Sequence, residues 1–440
     1  MTHKIFGTIV NTIQDKIVSI SGQKMYFNSW TEQGSCKNTF CRNTKLTLQR
    51  VFWLIVSRIV QSLPISLASF FDQLSLQIPS KGAFSMKRRL IKSELFEDVN
   101  KAIVSELYSP EHHMKTWKGY VVLACDGSRI ALPNVAELGE TFGYYHTSQG
   151  EILYPCAKAA IFQDTLNNVT VLAKLVDKNM DERYTFEENY MEANSLVGGK
   201  SIMTIDRGYF SYLLMYLMIK SNQLFVMKAR EAPWRTDFIS SGKKEGVIEI
   251  TPSRSASIYA NEQWRQESEK KIKVRLVRFG HPDGSVDVLV TNIFDRGMAS
   301  YKDIITLYRL RWPAETAYGI YKNDMALELF STFRKDGILQ DFHAAIIMYN
   351  LASILASDCK RPPKDKKINM NIAVGIIHDM CPVLSLEKMD KTVAKRIRTD
   401  TRYLSHCLTE IKPNRSFSRI RRSRKTSGKF YRHTNFAMAV

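Results

Sequence analysis

Apolar and polar positions follow two rhythms along this 440-residue chain, and the change between them falls near residue 115. Before it, apolar residues recur at the three-to-four spacing of one helical face. Residues 42–62 and 86–106 read as helices. The second sets Met86, Leu90, Leu95, Phe96, Val99 and Ile103 on one side, with Lys87, Arg88, Arg89 and Lys92 near its start. The most apolar window, Val51 to Phe71, is interrupted by Arg58, Gln61 and Pro64. It therefore predicts a buried helix broken at Pro64 and fails as a membrane span. Ile78 to Ser85 is a turn-rich entry to the second helix.

From Tyr120 onward, short apolar runs with β-branched members alternate with turn residues. Tyr120 to Cys125 reads as a buried strand ending in a turn at Asp126-Gly-Ser. Strands follow at 154–163 and 169–177, then a polar helix at 181–196. A strand, Ser201 to Ile205, ends at Asp206. A helix at 209–221 leads to the strand Gln223 to Lys228. The order predicts a mixed α/β sheet, with Asp126 leaving its first strand and Asp206 leaving its fourth. Residues 232–299 break this alternation. Val247–Ile250, Lys271–Phe279 and Val286–Val290 repeat with period two, as an all-β insertion would. Ser300 and Asp303 form a capping box that opens the next helix. The divisions expected are a helical domain (1–115), a core in two parts (116–231 and 300–358), the insertion (232–299) and a basic helical C-terminal region (359–440).

Charge sharpens this division. Lysine and arginine number 63 against 43 acidic residues, a net charge of +20. Residues 1–100 carry 13 basic and 6 acidic side chains and residues 360–440 carry 20 and 6, which leaves the middle at −1. Two basic flanks around a neutral centre suggest phosphate-binding arms on a catalytic core. The N-terminal module reads either as a DNA-contacting unit or as a helical domain with a solvated basic turn. The tail Lys412 to Arg432 holds nine basic residues and suits a polyanion. The seven cysteines form no CxxC pair, and free thiols are expected. No secretory signal is evident, and the compartment expected is the cytoplasm, without membrane contact.

The candidate chemistry lies between Tyr308 and Lys322. Tyr308, Arg311, Glu315 and Lys322 follow one another at offsets of three, four and seven, near one stripe of a helix. Pro313 disfavours helical geometry at Trp312. One helix is therefore expected to end near Arg311 and another to start with Pro313 in its first turn. That leaves Glu315 with Lys322 as the firmest pair on the stripe. Asp126 and Asp206, each directly after a buried strand, read either as turn formers or as carboxylates meeting at one sheet edge. Three converging carboxylates suit two Mg²⁺ ions, with Mn²⁺ as a substitute, for in-line displacement at phosphorus. His112 and His113 lie in a polar stretch and read as surface residues, and His146 and His343 lack partners at metal spacing.

These residues resemble the bacterial insertion-sequence transposases of the Asp-Asp-Glu type, in the insertion-sequence-four family. That family carries a Tyr-(2)-Arg-(3)-Glu-(6)-Lys signature, which Tyr308, Arg311, Glu315 and Lys322 fit without a gap. Asp126-Gly-Ser, Asp206-Arg-Gly-Tyr, Val290-Thr-Asn, Ala83-Phe-Ser with Arg88-Arg, and Asn414 to Arg419 are similar in kind. The resemblance implies a ribonuclease-H-like core in which Asp126, Asp206 and Glu315 hold the metals. It also implies that Arg311, Lys322 and Tyr308 contact transposon-end DNA. Arg207 reads equally as a DNA contact or a surface ion pair. Trp264 reads as a core or interface residue, with stacking on an unpaired base as the alternative. The implied activity is cut-and-paste transposition through a hairpin, by a homodimer on double-stranded DNA, both inverted-repeat ends and target. A non-catalytic DNA-binding descendant and a nuclease without joining activity stay open.

Overall fold

The computed structural model describes residues 4–21, 23–28, 40, 44–58, 62–146, 149–251, 271–281, 284–386 and 391–411. Trp264, the Asn414 to Arg419 motif and the basic tail lie outside them. Helices Lys4–Ile20, Leu48–Val56, Leu63–Asp72, Lys81–Arg89 and Glu94–Leu107 build the N-terminal part. Thr47 and Ser80 cap two of them by accepting from Arg50 N and Ala83 N. The helix expected over 86–106 is two helices. Asn28 N donates to Leu90 O and Lys92 N to Tyr26 O, and these tertiary bonds draw residues 90–93 out of the helix. Met86 is consequently 57% exposed rather than part of a buried face. The break expected at Pro64 lies before it, and Pro64 sits in the first turn of Leu63–Asp72, where its missing N–H costs nothing.

Nine strands make one mixed sheet: β1 (Val121–Ala131), β2 (Tyr144–His146), β3 (Ile152–Asp164), β4 (Val169–Asp177), β5 (Ser201–Ile205), β6 (Leu224–Lys228), β7 (Glu245–Ile250), β8 (Ile272–Gly280) and β9 (Val286–Thr291). Across the sheet they run β4-β3-β1-β5-β6-β9-β8-β7, with β2 on the early part of β3. β1, β3 and β4 form an antiparallel meander, and β5 and β6 lie parallel to β1. That is the ribonuclease-H-like arrangement. The insertion adds the helix Pro233–Ser240, which strand periodicity did not show, and three strands that continue the sheet through the β6·β9 pairing.

β1 also departs from expectation. It does not turn at Asp126-Gly-Ser, because Gly127 to Ala131 pair with Ala160 to Cys156 of the longer β3. Non-local pairing overrides a local turn preference here.

The helix Lys335–Ser357 runs through the core. It is long and apolar enough to cross a membrane, but that window is 94% buried inside the protein. It carries His343, buried with Nε2 3.9 Å from Glu97 Oε2. Burial pushes this imidazole down to about 4, against an upward pull from Glu97, while Lys174 and Lys101 push it further down. A histidine held neutral in the fold but free to protonate when unfolded destabilises the fold as pH falls through the window from about 6.5 to about 4. Up to about 3 kcal/mol should be lost across that window. Urea midpoints measured against pH should show this slope, and His343→Gln should flatten it; an unaltered slope refutes the assignment.

Candidate active site

Two parallel strands set the first two carboxylates side by side. In the β1·β5 register Cys125 faces Ile205, so Asp126 and Asp206 are the next positions on neighbouring strands. Side chains alternate along a strand, so Asp126 shares the face of Val122, and Asp206 shares that of Ile202. Val122, Ile202, Val226 and Leu289 pack against Ile304 and Leu307 of the helix Tyr301–Arg309. Both aspartates thus belong to the face on which this helix lies. Ser300 and Asp303 start it with the expected reciprocal capping bonds. It ends at Arg309, and the next helix, Trp312–Gly319, opens with Pro313 in its first turn.

This break determines which signature residues meet. Tyr308 donates its hydroxyl to Asp206 Oδ1 at 3.3 Å. Arg311 sits at the junction, 8% exposed, with Nη2 2.7 Å from Glu315 Oε1. Tyr318 hydroxyl shares its proton between Asp126 O and Ala159 O, at 3.0 and 2.9 Å, which bolts the Glu315 helix onto β1 and β3. Lys322 lies in a π-helical turn, Ile320–Asp324, that follows the Glu315 helix. Its Nζ donates to Arg129 O and lies 3.9 Å from Glu328 Oε1. The stripe expected to hold Glu315 and Lys322 thus passes into a π turn, and Glu315 forms its ion pair with Arg311. A π turn advances fewer degrees per residue than an α turn, so an offset of seven no longer returns to the same side.

The electrostatics tie the three carboxylates together. Burial pushes the Asp126 carboxyl up to about 6; Arg311 pulls it down, while Glu315 and Asp206 push it further up. Burial raises the Tyr308 hydroxyl above its ordinary range, and Asp206 adds to this. For Arg311, burial opposes the charge, but Glu315 and Asp206 outweigh it and the guanidinium is held above its ordinary value. Arg311 is therefore a cation stabilised by the carboxylates of Glu315 and Asp206. Its Nε is buried with no hydrogen-bond partner among the described residues.

Among the described residues no group of three or more His, Cys, Asp or Glu side chains is assembled to share a metal ion. The donor chemistry nevertheless fits a hard divalent cation, since Asp126, Asp206 and Glu315 offer only oxygen. Glu315 would need to turn from Arg311 to join the aspartates. Gly127 fits the same crowding on the opposite face. A Cβ there would lie 3.0 Å from Glu182 Oε1 and 3.3 Å from Tyr209 hydroxyl.

Arg207 is exposed and makes no ion pair with a described residue. Trp312, between Arg311 and Pro313, is 64% exposed. An indole on the surface beside the Glu315 helix offers a stacking platform that the signature spacing does not advertise. Glu328, which also accepts from Ala131 N at 2.9 Å, had no sequence signal.

The Transposase DDE domain matches residues 117–351, more than half of the chain and a span that includes all three carboxylates. The chain belongs to the DDE transposase family. No curated protein matches this DDE transposase-family chain. Among solved structures, it is similar to a piggyBac transposase in a synaptic complex with hairpin DNA, at 11% identity and a TM-score of 0.44, over 94% of this chain and 86% of that one. The family assignment rests on the domain match.

Proposed function

We propose that the protein is the DNA transposase of a bacterial insertion sequence. It cuts transposon ends by metal-dependent phosphodiester hydrolysis and joins them to target DNA by strand transfer, cut-and-paste, with a hairpin intermediate. What supports this reading is that Asp126 and Asp206 follow neighbouring parallel strands, while Glu315, paired with Arg311 at 2.7 Å, acts electrostatically on Asp126. Asp126, Asp206 and Glu315 would hold Mg²⁺, which supplies activation of an attacking oxygen and neutralisation of charge building on the leaving one.

The chain's own residues then bind and orient the DNA. Arg311 would be freed from Glu315 if that carboxylate served as a metal ligand, and its planar fork suits a phosphate. Lys322 projects from the π turn as a point charge beside β1. Tyr308 keeps Asp206 oriented through its hydroxyl and borders the same pocket. Arg207, exposed one residue after Asp206, is a further phosphate contact. Trp312 stacks on a base that leaves the duplex near the cut. Two ends have to be brought together, so a homodimer on DNA is the working form, in the bacterial cytoplasm at the nucleoid.

The test is a cleavage and joining assay with Mg²⁺ on DNA carrying the inverted ends that flank the gene. Nicking, hairpin formation and transfer to a second duplex are expected in turn. Cleavage without joining would reduce the reading to a nuclease, and binding without cleavage would reduce it to a DNA-binding descendant.

A further inference from the structure

The C-terminal helix Lys391–Leu404 carries an arrangement that the carboxylate site does not use. Lys391, Lys395, Arg398 and Arg402 are all exposed and sit at offsets of four, seven and eleven. Those offsets keep them on one side of an α-helix. At 1.5 Å per residue the row extends about 16 Å. None of the four forms an ion pair with a described residue. Asp400, the acidic side chain of this helix, is already taken by Arg396, Nε to Oδ2 at 2.6 Å. The opposite side is closed, with Val393, Ile397, Thr401 and Leu404 all 3% exposed or less. Cys359 Sγ to Thr401 O at 3.5 Å and Lys360 N to Ser405 Oγ at 3.3 Å fasten its end to the body of the protein. A rigidly seated row of like charges, uncompensated from within, is built for an external polyanion.

We propose that this face is a phosphate-binding track for duplex DNA, separate from the catalytic carboxylates. The choice of DNA as the polyanion rests on the transposase reading. A membrane surface is disfavoured because the apolar side that would insert is buried in the protein. The track also lies away from the cut. Tyr321, beside Lys322, packs on Tyr349 at 4.8 Å between ring centroids. The helix bearing Tyr349 runs eight residues further, about 12 Å at the helical rise, before it ends at Ser357, and Cys359 follows that end. The four cations therefore meet flanking duplex, and side chains that reach only phosphates add affinity without reading bases.

The test measures binding of the full chain to a random-sequence duplex across a NaCl series without divalent metal. With all four residues changed to Gln, the slope of log K against log salt should shrink by about three to four, with at least about a tenfold loss of affinity at moderate salt. Asp400→Asn should release Arg396, tighten binding and steepen the slope by about one, a gain that a misfolded variant does not show. An unchanged slope in the fourfold variant, or unchanged binding by Asp400→Asn, overturns the proposal. So does binding to phosphatidylserine vesicles that matches duplex binding and depends on the same four residues. If the wild type cuts no DNA yet the slopes change as stated, the track stands and the transposase reading falls.

Discussion

An Asp126→Asn protein is expected to cleave transposon-end DNA at least about a thousandfold more slowly in Mg²⁺, corresponding to several kcal/mol of lost charge stabilisation. The amide keeps the shape of the carboxylate and can still accept from Gly127 N, which bonds Asp126 Oδ1 at 3.0 Å. What it loses is the negative charge. The same change should leave the fold as stable or more stable. Burial already penalises the Asp126 carboxylate, raising it to about 6. At pH 7 the folded protein carries the cost of ionising it, and a neutral side chain removes up to about 3 kcal/mol of that cost. Loss of cleavage with a gain in melting temperature is the signature of a residue kept for chemistry at the expense of stability. Cleavage at the wild-type rate would remove Asp126 from the site.

Asp341→Leu is expected to be the most damaging single change to the fold outside that site. Arg88 Nη2 pairs with Asp341 Oδ1 at 2.9 Å, both side chains buried. Ser331 N donates to Asp341 Oδ2 at 2.8 Å. Arg58, also buried, donates to the carbonyls of Asp341, Ala326, Leu327 and Leu329 and holds a left-handed backbone at φ 63°. Arg88 thus pairs with the Asp341 carboxylate directly, and Arg58, bonded only to main-chain oxygens there, feels the same charge through space. Removing it leaves both uncompensated, at a cost of about 3–5 kcal/mol. Arg88→Met should cost less, because Asp341 keeps Arg58 as a countercharge. Urea denaturation of the two variants decides the point, and an Arg88→Met protein as unstable as Asp341→Leu would refute the shared-carboxylate account. This network grips residues 326–341, directly after Lys322, so the helical N-terminal part is locked to the catalytic core through its own arginines.

That locking shows where sequence reasoning stopped. Arg88 reads as part of a solvated or DNA-facing basic turn, since Lys87, Arg88 and Arg89 look alike in one dimension. Partners far along the chain, Asp341 with Gln340, Ser331 and the Gly337 carbonyl, turn Arg88 inward. The strands were legible wherever a short apolar run was closed by a polar residue, as in Ser201 to Ile205 before Asp206. β1 was legible only to Cys125, because its continuation depends on β3. As candidates, Asp206 could be picked out from a strand end and Glu315 from signature spacing, whereas Asp126 lies inside β1; Pro313 marks the break between the two helices at the site. The partners of the signature residues could not, since a π turn at Ile320–Asp324 has no sequence mark and redirects Lys322 toward Arg129.

The pairing of β9 with β6 has a consequence for anyone who would trim this protein. An insertion that hangs from two loop ends can be cut out and the gap closed. Here excision of 232–299 would bare the outer edge of β6, a row of unsatisfied backbone donors and acceptors next to Phe225 and Met227. It would also remove Val277, Leu289 and Ile293 from beneath Ile304 and Leu307, so the helix leading to Glu315 would lose part of its seat. A shortened chain would gain a sticky, self-templating margin at the moment it lost the support of its active site. Aggregation, rather than a smaller working enzyme, is the physical outcome that the sheet order dictates.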